Sequence, residues 1–151
     1  MNKPAARKLL RHLMKQQLSP SAARFNMRYW GNPRSEVTVE VLEEPICNTQ
    51  ACMAGETVLA LGGGYLVKGI GGINLYREFR IKELDIEDTA AKLLDLTEEE
   101  QSRLFYFKSM GYERGWPKRY ETSYKAATTA SARLAVAIRR LEHFIVTNGK
   151  S

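Results

Sequence analysis

The sequence has little of what would mark a secreted or membrane protein. Its two cysteines cannot form the disulfide framework of a small secreted domain. No apolar run approaches the roughly 18 residues of a membrane-spanning helix. The basic N-terminal stretch has no continuous apolar segment or small-residue cleavage site, so it is not a secretory signal. We therefore expect an intracellular, cytoplasmic protein with no membrane partner.

Glycine and proline are also scarce, with 11 and 5 residues, which excludes collagen-like and low-complexity chains. The hydrophobic content of 44% is normal for a folded domain. A chain of 151 residues hides roughly 70% of its unfolded surface when it folds, which suffices for one core. We expect a single globular domain over residues 1–151.

Acidic residues are absent from the first 35 positions, an asymmetry that the net charge of +6 conceals. Residues 1–35 contain eight lysines and arginines. Residues 36–100 contain five, against fourteen acids, and residues 101–151 contain ten, against three. The basic ends could form one face, or the acidic middle could pack beside them and neutralise them. The sequence leaves both arrangements open.

Apolar periodicity predicts a mainly helical fold with a minor β element. Leucines at helical spacing predict an amphipathic helix over 4–17, and Ser19–Pro20 suits the start of a short helical turn. Gly31-Asn32-Pro33 should break the chain before an alternating, β-branched strand at 37–42. Residues 49–61 have helical composition and end at glycines.

From residue 62 onward, the chain is expected to form a β-prone segment followed by helices. The glycine-rich 62–72 segment leads into β-prone pieces, for which a small hairpin and a mobile loop both stay open. Asp85 can cap a helix through Leu94, and Thr97-Glu98-Glu99-Glu100 is a capping box that starts a helix reaching about Phe107. We expect a structured loop over residues 108–120.

The strongest helical pattern is a long C-terminal helix over about 121–147. Its apolar residues follow three-and-four spacing, and Asn148-Gly149 ends the run. The stripe can be part of the core or the seam of a homodimer. Together these elements predict a compact, single-domain helical fold with a long C-terminal helix and a small hairpin or short strands.

Residues able to hold a metal are few. Cys47 and Cys52, with His12 and His143, are just enough for one Cys2His2 zinc site. The histidines are too far apart in sequence for a zinc-finger pair, and two small buried side chains at a helix start explain the cysteines more simply. We predict no metal and no cofactor, and keep Cys47, Cys52 and His143 as the candidates for a metal or thiol site.

Catalytic and nucleotide-binding patterns are missing too. The glycine-rich stretch fits neither a P-loop nor a dinucleotide fingerprint, and no other catalytic motif occurs. Residues 90–105 are similar to a helix-turn-helix, but the would-be recognition helix opens with three glutamates that phosphates would repel. A helical hairpin in the core is the expected structure there, and we expect a protein that is not an enzyme.

One segment, 103–125, interleaves basic and aromatic residues. Cations for phosphates and rings for stacking suit single-stranded nucleic acid, while Tyr, Trp and Arg are also favoured anchors in protein interfaces. The same composition occurs where aromatic side chains anchor a loop to its core. The candidate binding residues are Tyr112, Arg114, Trp116, Lys118, Arg119 and Tyr120.

Several short motifs occur in a familiar order over nearly the whole chain. They are Arg24-Phe25-Asn26-Met27 with Trp30, Cys47 to Gly55, Leu94-Asp95-Leu96-Thr97 with Leu104-Phe105, Trp116-Pro117, and Arg140 to Ile145. In this the chain resembles a set of small uncharacterised proteins of bacteria and their phages. Asn48, Glu56 and Asp95 depart from the pattern, replacing a glycine, an aromatic residue and a glycine.

The resemblance implies an intracellular, phage-encoded accessory protein that would act in the host cytoplasm, and it carries no known activity or ligand. We therefore expect a non-enzymatic protein that binds a protein partner and counters or modulates a host system. The alternative is a nucleic-acid-binding protein that uses the basic N- and C-terminal thirds with the aromatic loop.

Overall fold

A computed structural model describes residues 1–18, 31–33, 49–62, 65–69, 72–76, 83–84 and 86–151. In these ranges the helices are α1 (Lys3–Gln17), α2 (Met53–Leu61), α3 (Ile86–Leu94), α4 (Glu98–Phe105), α5 (Lys118–Ala126) and α6 (Ala130–Val146). Short antiparallel strands form two sheets, β1 (Gly31–Pro33) with β2 (Thr49–Ala51), and β3 (Tyr65–Gly69), β4 (Gly72–Tyr76) and β5 (Glu83–Leu84) in that order. The predicted mainly helical fold with a minor β element and a long C-terminal helix is confirmed.

The core is built around α1 and α6, which pack against each other. Leu9 and Leu13 of α1 are fully buried, as are Leu134, Leu141 and Phe144 of α6. The apolar stripe of α6 thus lies in the core of the chain itself, which decides between the two sequence-based alternatives for it. No helix in the described ranges is both long and apolar enough to cross a membrane.

α1 and α6 run antiparallel, because the start of α1 and the end of α6 both lie beside Glu100 of α4. The Met1 amino group lies 3.6 Å from Oε2 of Glu100, and a Cβ added to Gly149 would overlap the same glutamate side chain. The start of α1 therefore lies beside the end of α6. This arrangement places α1, from the basic N-terminal segment, beside α6, from the basic C-terminal segment.

Two sequence-based boundaries are wrong in the first half. Gly31–Pro33 does not simply break the chain but pairs with Thr49–Ala51 as a short sheet. Because residues 49–51 are taken up in that sheet, α2 begins only at Met53, after Cys52 in an extended conformation. Its end at Gly62, with φ of 73°, is as predicted, since glycine adopts the left-handed region without strain.

The glycine-rich segment forms the hairpin alternative. β3 and β4 are antiparallel, with Gly69 opposite Gly72 at the closed end. The predicted turn at Ser19–Pro20, the strand at 37–42 and the Asp85 cap lie outside the described residues.

The C-terminal third also needs correction. The capping box forms as predicted, with the Thr97 amide 3.0 Å from Oε2 of Glu100 and the Glu100 amide 3.2 Å from the Thr97 hydroxyl. α4 then ends at Phe105, and α5 begins inside the predicted loop 108–120. The single helix predicted over 121–147 is two helices, because Thr129 starts a new one by accepting a hydrogen bond from the Ala132 amide at 3.1 Å.

Candidate functional site

Of the six binding candidates, Trp116 is fully buried. Its indole Nε1 donates to the Leu104 carbonyl at 2.7 Å, and its ring makes edge contacts with Phe107 and Tyr124. These contacts anchor the loop after α4 to the core. Trp116 therefore offers no surface to a partner in this structure.

Tyr112, Arg114 and Lys118 lie on the surface. Tyr112 is 40% exposed and its ring stacks on Tyr106 with 3.8 Å between centroids. Arg114 forms an ion pair with Glu99 at 2.8 Å, which neutralises part of its charge. Lys118 is exposed in the first turn of α5. The structure gathers none of these three with the remaining candidates into one cluster.

Arg119 and Tyr120 do lie together, and they meet α6. The Arg119 guanidinium stands 4.8 Å from the centre of the Tyr120 ring, and its Nη2 donates to Nε2 of His143 at 3.0 Å. The other nitrogen of that imidazole, Nδ1, lies 3.3 Å from the Ser151 hydroxyl. Burial, followed by the positive charges of Arg119 and Arg140, lowers the pKa of His143. The lowered pKa favours the neutral ring at pH 7, in which Nε2 can accept a hydrogen bond from Arg119.

Beneath this group lies Arg140, a fully buried arginine that is not among the predicted binding residues. Its Nη2 donates to the Arg103 carbonyl at 2.7 Å, while Nε and Nη1 have no hydrogen-bond partner. Burial lowers the pKa of Arg140 to about 10, so the side chain stays cationic at neutral pH. The sequence feature that could have indicated the burial of Arg140 is its position in the apolar stripe of α6, three residues after Ala137 and four before Phe144.

The cysteine and histidine candidates do not assemble into a metal centre where the structure describes them. Cys52 is buried at the start of α2, and desolvation raises the pKa of its thiol to about 12. The thiol is therefore protonated at neutral pH, the form that neither attacks nor binds a metal. No group of three or more metal-ligating side chains occurs within the described ranges, and Cys47 lies outside them.

No sequence pattern indicated the buried carboxylate where α1 packs against α2. Glu56, 3% exposed, accepts from the Gln16 amide at 2.6 Å and lies 2.9 Å from Nε2 of His12. The polar contacts of His12 and Gln16 explain how a carboxylate is accommodated there.

The outward face of α1 carries five exposed cations. We call it the α1 basic face; its cations are Lys3, Arg7, Lys8, Arg11 and Lys15, all exposed. The helix contains no acidic residue, and none of these five cations forms an ion pair with another described residue. They lie opposite the buried Leu9 and Leu13.

Internal neutralisation by acids is therefore uneven. Glu99 pairs with both Arg103 and Arg114, and Glu121 pairs with Lys125 at 2.6 Å. Part of the positive charge in the C-terminal third is thus compensated within the chain. The charge of α1 faces solvent without such a partner among the described residues.

No known protein family matches the chain, and no curated protein or solved structure is significantly similar to it.

Proposed function

We propose that this protein acts by binding nucleic acid through the α1 basic face rather than by catalysis. The observation that supports this is the row formed by Lys3, Arg7, Arg11 and Lys15, exposed and at intervals of four residues. Like charges four apart on a helix destabilise it by roughly 0.2–0.5 kcal/mol per pair. A helix that places only cations in such a row is suited to a polyanion that relieves their repulsion.

The geometry of the row fits a phosphate backbone. Four residues of α-helix rise about 6 Å, so the row extends over roughly 18 Å. A strand of duplex DNA carries a phosphate every ~3.4 Å along the axis. Side chains as long as lysine and arginine can therefore each reach a different phosphate. Contacts of this kind provide affinity and little sequence preference.

The proposal is tested by measuring the affinity for a DNA duplex and a single-stranded oligonucleotide by fluorescence anisotropy over 50–300 mM salt. Affinity should fall linearly with salt on logarithmic axes, with a slope near −0.9 per phosphate contact for the duplex. The double variant Arg7→Gln/Arg11→Gln should make the slope shallower by about 2 and weaken binding to every sequence alike.

Arg114→Gln is the matched control, since it removes an exposed cation that Glu99 already pairs. It should change the slope little. Binding that ignores salt, or that falls as much with Arg114→Gln as with one α1 substitution, would contradict the proposal and direct attention back to the aromatic loop.

A protein partner remains the second candidate, and one observation on the same face favours it. Met14 and Leu18 are 46% and 91% exposed at the C-terminal end of α1, among its cations. An acidic protein surface with an apolar centre would use both features, whereas phosphates would use only the charges. In that case the chain would be the accessory factor that its resemblance to phage-borne proteins implies, acting on a host protein.

Leu18→Gln separates the two candidates. It should leave oligonucleotide binding unchanged and weaken the capture of a specific protein.

A further inference from the structure

We propose that Arg119, Tyr120 and His143, above the buried Arg140, form a site for a phosphate group. The site uses residues other than those of the α1 basic face and goes beyond the proposed nucleic-acid binding. Its ligand would be inorganic phosphate or the phosphate of a larger ester. In this site, three basic side chains surround one aromatic ring.

The ring of Tyr120 is the centre of the cluster. Arg119 and Arg140 place their guanidinium carbons 4.8 and 5.8 Å from its centroid, and the His143 ring centroid lies 5.7 Å away. Arg119 also donates to the Tyr120 hydroxyl at 3.4 Å. Guanidinium, imidazole and phenol groups are therefore close enough together to donate to the oxygens of one anion.

No described carboxylate forms an ion pair with these three basic side chains, Arg119, Arg140 and His143. Two buried nitrogens of Arg140, Nε and Nη1, have no hydrogen-bond partner. This costs free energy because a buried cation loses its hydration. An anion bound beside Arg119 would attract the buried guanidinium of Arg140 across the low-dielectric interior. This attraction would offset part of the cost without direct contact.

The contact between Arg119 and His143 points the same way. A guanidinium that donates to an imidazole uses a basic group as its acceptor, where a carboxylate or phosphate oxygen would be a stronger one. Arg119 is exposed and carries five N–H donors in a planar fork that matches phosphate geometry. When a phosphate takes the place of Nε2, both Arg119 and a protonated His143 can donate to it.

Binding should therefore be linked to proton uptake. Besides burial, Arg119 of α5 and Arg140 of α6, both positive, lower the pKa of His143, and the titratable Tyr120 of α5 also packs against its ring. An anion reverses the effect of the two arginines and raises the pKa of the ring. Affinity for an anion whose own charge does not change should accordingly rise as the pH falls from 8 to 6, with proton uptake by the His143 ring.

The experiment is a titration of the full chain with inorganic phosphate, followed by calorimetry and by the NMR signals of the His143 imidazole, at pH 6.0 and 8.0 in constant chloride. Phosphate itself loses a proton between these pH values, so the pH dependence is measured with sulfate, which is a dianion at both. We expect saturable phosphate binding that shifts the His143 signals, and sulfate binding that is several-fold tighter at pH 6.0. Arg119→Gln should weaken the binding of both anions about tenfold or more. His143→Gln should leave weaker sulfate binding with little pH dependence. Lys118→Gln is the matched control, an adjacent exposed cation whose loss should have little effect.

Oligonucleotides with and without a 5′-phosphate, added as competitors of inorganic phosphate, identify the natural source of the bound phosphate group. Competition only by the 5′-phosphorylated oligonucleotide indicates a phosphomonoester, and competition by both oligonucleotides indicates the phosphates of the backbone. Arg7→Gln/Arg11→Gln should leave the titration with inorganic phosphate unchanged, so failure of one proposal is distinguishable from failure of the other. The site is refuted if phosphate does not saturate the wild type, or if Arg119→Gln and Lys118→Gln bind it equally well.

Discussion

At the scale of single residues, burial decides the role of each side chain more strongly than its chemical type. Trp116 and Tyr112 belong to the same aromatic, basic segment, yet Trp116 is inaccessible and Tyr112 is exposed. Arg140 is buried, whereas the adjacent Arg139 is exposed. Neighbouring residues of similar type therefore perform different tasks, one in the core and one at the surface.

Trp116→Phe should destabilise the chain by about 1–3 kcal/mol, because the buried Leu104 carbonyl loses its indole donor and the smaller ring leaves a cavity. Urea denaturation followed by circular dichroism measures the change. Tyr112→Phe removes a hydroxyl from an exposed ring and should cost less than about 0.5 kcal/mol. Equal stabilities for the two variants would show that the hydrogen bond between Trp116 and Leu104 contributes nothing.

At the scale of elements, the helix ends are where short-range chemistry is easiest to recognise. The capping box of Thr97 and Glu100 was predicted from four residues because both of its hydrogen bonds are local. The division between α5 and α6 was missed even though Thr129 is also a good N-cap residue. An alanine-rich run on both sides of it, from Ala126 to Ala137, reads equally well as one helix.

Thr129→Ala should reduce stability by about 1 kcal/mol, since the Ala132 amide loses its acceptor. Thr128→Ala is the matched control: it is exposed and one residue earlier, outside the cap position. Thermal unfolding of both variants tests this, and a Thr128→Ala loss as large as that of Thr129→Ala would argue against the division into two helices.

At the scale of the whole molecule, the antiparallel pairing places α1 and α6, from the two basic ends of the chain, side by side. The two proposed anion-binding surfaces belong to these helices and to α5, whereas Glu99 and Glu121 compensate other cations. Within α1, the positive charge is concentrated on the exposed face. This concentration has a cost to the stability of the free protein that salt or a bound polyanion should reduce.

The double variant Arg7→Gln/Arg11→Gln should accordingly be slightly more stable than the wild type at low salt, by some tenths of a kcal/mol. The difference should shrink as salt is added from 10 to 500 mM, because screening relieves the same repulsion in the wild type. Urea titrations at both salt concentrations measure it. A variant that is less stable at low salt would show that these arginines form stabilising contacts, and would weaken the interpretation of its binding defect.

The sequence by itself determined the features that arise between residues close in the chain: the amphipathic α1, the capping box, the stop at Gly62 and the mainly helical class. Only the tertiary structure decided which alternative the hairpin segment adopts, that the stripe of α6 lies in the core, and that Trp116 is buried. It also brought Arg119 and Tyr120 to Arg140 and His143, about twenty residues away. The physical reason is that periodicity and capping depend on local geometry, whereas burial and the meeting of charges depend on which helix packs against which.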